Sequence, residues 1–99
     1  MRLTREQQEI IRRTTREVFG PEATVWLFGS RVDESQRGGD IDLLIEAPTP
    51  VEERERKVLR LTARLQIRLG DQPIDVLVLD PETPRQRIHD EALRTGVAL

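Results

Sequence analysis

The stretch Val25-Trp26-Leu27-Phe28-Gly29-Ser30-Arg31, followed after a polar loop by Asp40-Ile41-Asp42-Leu43-Leu44-Ile45, decides how the chain is read. An apolar run ends on a Gly-Ser step, and a second apolar run opens on two aspartates two positions apart. Side chains at i and i+2 of a strand share a face, so Asp40 and Asp42 point the same way from the start of one strand. Carboxylates that close repel each other and resist burial, and a cation between them relieves both costs. Mg²⁺ is the ordinary candidate, because it takes hard oxygen ligands. Gly29-Ser30 closes a strand and begins a helical turn, whose free N–H groups favour phosphate, and Ser30 adds a hydroxyl donor.

A third carboxylate, Asp75, is the second residue of the apolar run Pro73-Ile74-Asp75-Val76-Leu77-Val78-Leu79. In-register pairing of that run with the aspartate-bearing strand sets Asp75 beside the pair. Three carboxylates around a phosphate cradle suit two-metal phosphoryl chemistry. The pattern is not a Walker P-loop, since no Gly-Lys-Ser/Thr is present.

Working outward, three strands are expected over 24–28, 40–46 and 73–79. Ile41, Leu43 and Ile45 share one face, with Asp40, Asp42 and Leu44 on the other. Ile74, Val76 and Val78 oppose Asp75, Leu77 and Leu79 in the same way. Helices are expected over 4–19, 49–69 and 83–95. Each opens on a capping-box pattern: Thr4 with Gln7, Thr49 with Glu52, Thr83 with Gln86. Pro50 and Pro84 sit at N1, where the missing N–H costs nothing. Gly20-Pro21, Gly70 and Gly96 supply the stops. Residues 31–39 read as a short helical turn and then a flexible loop. The order α-β-loop-β-α-β-α makes one α+β domain over 1–99, a small mixed sheet backed by helices.

Composition sets limits. The 99 residues are 36% hydrophobic and 34% charged, which allows one thin core under a highly charged surface. A net charge of −2 gives no global attraction to nucleic acid or membranes. The absence of cysteine excludes disulfides, thiolate zinc sites and thiol nucleophiles. The N-terminal residues lack a signal peptide's apolar core and no run reaches membrane-spanning length, so a cytoplasmic protein with no membrane association is expected. Arg56, Arg60, Arg64 and Arg68 recur every four residues and read as a solvated face paired with acids such as Glu52 and Glu53. Leu59, Ala63 and Ile67 lie off that helix's main apolar stripe and suggest a partner-facing patch. With few aromatic residues to stack bases, nucleic acid is not expected as a direct ligand. Trp26 and Phe28 read as core. His89, on a polar helix, reads as a surface residue.

The Gly29-Ser30-Arg31 and Asp40-Ile41-Asp42 segments, with Pro73-Ile74-Asp75-Val76 and a closing helix before Gly96, resemble the minimal nucleotidyltransferases of the DNA polymerase beta-like superfamily. The resemblance implies a Mg²⁺-dependent nucleotidyltransferase using two ions and ATP. Gly29, Ser30 and Arg31 would hold the nucleotide, and Asp40, Asp42 and Asp75 would be the catalytic, metal-binding carboxylates. Minimal members are often encoded beside a helical HEPN-domain protein as the antitoxin of a toxin–antitoxin pair. By that resemblance the acceptor is a hydroxyl of a HEPN-type toxin, silenced by AMPylation; assembly into homo-oligomers is compatible with it. One departure stands out. The family commonly follows Gly-Ser-Arg with a small residue, Arg and Gly, where this chain has Val32, Asp33 and Glu34, with Arg37 as a further phosphate contact. That keeps open a second reading, a non-catalytic binding module that retains the fold and inhibits its partner by occlusion.

Overall fold

A computed structural model describes residues 2–33 and 39–99; Glu34 and Arg37 lie outside the described residues. Helix α1 (Arg5–Phe19) begins as the sequence dictates. The Thr4 hydroxyl accepts from the Gln7 N–H (3.1 Å), and the Gln7 side-chain oxygen accepts from the Thr4 N–H (2.9 Å). Strand β1 (Thr24–Phe28) runs into a 3-10 turn, Gly29–Val32. There follow β2 (Ile41–Glu46), α2 (Arg54–Leu69), β3 (Ile74–Leu79), α3 (Arg87–Thr95) and a two-residue β4 (Val97–Ala98). The sheet order is β3-β2-β1-β4, with β1 antiparallel to β2 and β4, and β2 parallel to β3. This is the expected α+β architecture with a mixed sheet.

Period-two patterning divides the core between the two faces of the sheet. Val25, Leu27, Ile41, Leu43, Ile45 and Val78 pack with Ile11, Val18, Leu61 and Leu65 of α1 and α2. Leu44 and Leu79 pack with Ala92 of α3, and Trp26, Phe28 and Leu77 close over them half-buried. Asp42 alternates with Leu43 and Asp75 with Val76, so both carboxylates belong to the α3 side.

Strands β2 and β3 begin one residue later than expected; the larger departures are two helix starts, which share one cause, and one added strand. α2 begins at Arg54 rather than 49, and α3 at Arg87 rather than 83. The Thr49 and Thr83 boxes are not used because the buried Asp80, just past β3, organises both approaches. Its carboxylate accepts from the Val51 N–H (2.8 Å) and pairs with Arg54 (2.8 Å) ahead of α2. It also accepts from the Glu82 N–H (2.9 Å) and the Thr83 hydroxyl (3.0 Å), closing a turn ahead of α3. At the start of α3, the Gln86 N–H donates to Nδ1 of His89 (3.0 Å). His89 is buried, not a surface residue: its ring lies back on the first turn of α3, where Nδ1 takes up the Gln86 N–H. The third departure is β4, which the sequence reading did not include. Gly96 admits it: a Cβ there would press on the carbonyl oxygens of Ala92 and Leu27. Among the described residues, no helix is long and apolar enough to cross a membrane.

Candidate active site

The parallel register of β2 and β3 places Asp42 directly beside Asp75. The antiparallel register of β1 and β2 places Phe28, the residue before Gly29, directly beside Asp42 on its other flank. The central strand thus carries Asp42 between the chain turn at Gly29 and the carboxylate of Asp75. Asp40 lies one residue ahead of β2, exposed, where the sequence reading had already begun the strand.

Gly29 is fixed by two independent requirements. Its φ of 78° lies in the left-handed region that side-chain-bearing residues avoid. A Cβ at this position would also overlap the Asp42 carboxylate. Glycine therefore lets the backbone of the turn lie against a carboxylate, the close approach required if phosphate is to sit between N–H donors and a carboxylate-held cation. Within the turn, the Asp33 N–H returns to the Ser30 carbonyl (3.3 Å), which also accepts from Arg2 (3.2 Å). The Ser30 hydroxyl has no protein partner among the described residues, so it is free to donate.

The electrostatics match the expected strain. Burial pushes the Asp42 carboxyl above its ordinary value, followed by the negative charges of Asp75 and Asp40 and a hydrogen bond shared with Asp75. Among the described residues, no three His, Asp or Glu side chains are gathered closely enough to hold a metal ion. The donor set nonetheless fits a hard divalent cation: carboxylate oxygens only, with Asp42 and Asp75 adjoining and repelling.

Arg31 is placed differently from its neighbours. Its guanidinium donates to the carbonyls of Arg2 (3.1 Å) and Gly39 (2.9 Å) and to the Gln72 side chain (2.9 Å). It ties the N-terminus, the approach to β2 and the approach to β3 into one frame behind the turn.

Beside Gly29 opens a groove of about 510 Å³ between the end of β1 and α3, lined by Phe28, Val32, Asp33, Ile88, Glu91 and Thr95 among others. That size suits a small ligand. A hollow of similar volume, about 530 Å³, follows the free edge of β3; neither cavity is lined by the three aspartates, but the groove includes Gly29, which lies against the Asp42 carboxylate, and the hollow does not. Glu91 and Thr95 escaped the sequence reading. Their spacing puts them on one side of α3, but nothing local tells that this side meets a turn some sixty positions earlier.

The family model described as a nucleotidyltransferase domain matches residues 9–95, from within α1 to the end of α3. Among curated proteins, no relative matches the chain. The match spans both the Gly29 turn and the three aspartates: the chain belongs to the nucleotidyltransferase domain family.

Proposed function

We propose that this nucleotidyltransferase domain transfers AMP from ATP to a hydroxyl on a protein partner, a HEPN-type toxin by the resemblance in its motifs. One observation carries the site assignment: Asp42 sits in register with Asp75 on one side while its carboxylate takes up the space a Gly29 side chain would need on the other. In this reading the N–H groups after Gly29 and the Ser30 hydroxyl bind and orient the triphosphate. Arg31 keeps the turn in place. Asp40, Asp42 and Asp75 would hold Mg²⁺, which would supply positive charge against the pyrophosphate and lower the pKa of the acceptor hydroxyl. Asp75 takes the proton as the acceptor oxygen bonds to the α-phosphorus. The bond from that phosphorus to the β-phosphate oxygen breaks, and pyrophosphate leaves.

The competing reading, inhibition of the partner by occlusion without turnover, has its own support. Asp33 lines the groove beside Gly29, placing negative charge where a triphosphate would approach. The guanidinium of Arg31 is spent on protein acceptors. Mass analysis of the partner after incubation with ATP and Mg²⁺ separates the two. A gain of one AMP, absent with Asp42→Asn, supports transfer. A fully inhibited partner of unchanged mass overturns it in favour of occlusion.

A further inference from the structure

Helix α2 carries five Arg and one Lys against a single Glu, in a chain whose net charge is −2. Its inner face, Leu61 and Leu65, is committed to the core. Its outer face is not polar throughout. Leu59 and Ile67 are 71% and 83% exposed, the two most exposed large apolar side chains among the described residues. Ala63, also exposed, lies between them at four-residue spacing, so the three form a single file along the helix. A second file, Arg56, Arg60 and Arg64, runs beside it.

Part of the basic file is engaged and part is not. Arg64 and Arg68 both reach Glu17 of α1 (3.2 and 2.9 Å), so one carboxylate serves two guanidinium groups and its pKa is held down, by the Arg68 hydrogen bond first. Arg56 pairs with Glu53 (3.3 Å) in an open contact. Arg60 is exposed and has no ion pair among the described residues. The face therefore keeps an excess of positive charge next to an apolar file.

The geometry points to a docking surface on α2 for an acidic amphipathic helix of a protein partner. Leu59, Ala63 and Ile67 form the apolar ridge, and Arg60, with Arg56 beside it in its open contact to Glu53, faces the partner's carboxylates. An i, i+4, i+8 ridge is what a helix presents to a packed helix, and the flanking basic file requires opposite charge across the contact. A second copy of this chain would set like files of Arg against each other. RNA would find no aromatic side chain on α2 to stack on. A membrane would need a wide apolar face rather than a file one residue across. The surface lies across the sheet from Asp42 and Asp75, so the inference is independent of nucleotide chemistry.

The test needs no nucleotide. A short synthetic helix with a Leu file beside a Glu file, and a counterpart with Lys in place of Glu, are titrated into the full chain and followed by anisotropy and amide-shift mapping. The acidic helix is expected to bind, with shifts centred on 56–67, and the Lys counterpart to fail. Leu59→Ser, Ile67→Ser and Arg60→Glu should each weaken binding roughly tenfold while Tm stays unchanged, since none of these side chains is buried. The proposal is overturned if the acidic helix does not bind or if shifts centre elsewhere. It is equally overturned if the variants bind as well as the parent, or if single-stranded RNA, anionic vesicles or self-association uses these residues instead.

Discussion

At the scale of single residues, Gly29 and Asp42 form one unit, and their substitutions should separate stability from activity. Gly29→Ala meets a positive φ and the Asp42 carboxylate together. It should cost about 1–3 kcal/mol in chemical denaturation and remove nucleotidyl transfer, because the turn can relax only by moving away from the carboxylate. Asp42→Asn should behave oppositely. The fold raises this carboxyl's pKa, so the folded state holds the proton more tightly than the unfolded chain. Its ionised form therefore costs stability at neutral pH, and that cost fades as pH falls through the raised value. Without divalent metal, the Asn variant should have a Tm at or above the parent's at pH 7, and transfer reduced ~10²-fold or more. A Tm several degrees below the parent's would show that the carboxylate supports the fold rather than burdening it.

At the scale of elements, Asp80 explains why helix starts were less legible than strands. The strand faces follow from period-two alternation over six residues, a signal complete within each segment, whereas the Asp42–Asp75 juxtaposition also needs the parallel register of β2 and β3. Gly29 could be singled out because the turn after an apolar strand is also local. The starts of α2 and α3 depend on a carboxylate that meets Val51 across 29 positions, and no capping grammar near Thr49 or Thr83 encodes that contact. β4 is equally illegible: two residues paired to β1 have no pattern of their own. The hydrogen bond from the Val51 N–H is the largest influence drawing the Asp80 carboxyl from an ordinary 3.8 to about 2, with Arg54, Glu82 and Thr83 adding to it against the opposing cost of burial. A depressed folded-state pKa contributes stability that is complete above the ordinary value and lost as pH falls through the folded one. Stability should thus decline between pH ~4 and ~2 by about 2 kcal/mol through this group. Asp80→Asn should flatten that part of the profile and lower stability at pH 7 by a similar amount. An Asn variant as stable as the parent at pH 7, or with the same acid slope, would refute Asp80 as the organiser of both helix starts.

At the scale of the whole molecule, the site is assembled from segments that meet only when the sheet is complete, and Arg31 decides how firmly they meet. The cradle comes from the end of β1, one carboxylate from β2 and another from β3, while Arg31 bonds to the approaches of both carboxylate strands and to the N-terminus. A side chain with these three anchors contributes to stability and to site geometry at once, whereas a group that only met phosphate would affect binding alone. Arg31→Ala should therefore lower stability by about 2 kcal/mol, the scale of lost charge-assisted hydrogen bonds, and weaken nucleotide binding roughly tenfold in the same variant. Arg31→Lys should restore little of either, because a single ammonium cannot reproduce a planar fork that spans acceptors on three segments. Denaturant unfolding and nucleotide titration on both variants check this. Weakened nucleotide binding at full stability would make Arg31 a phosphate contact and return it to the role its place after Gly29-Ser30 suggests.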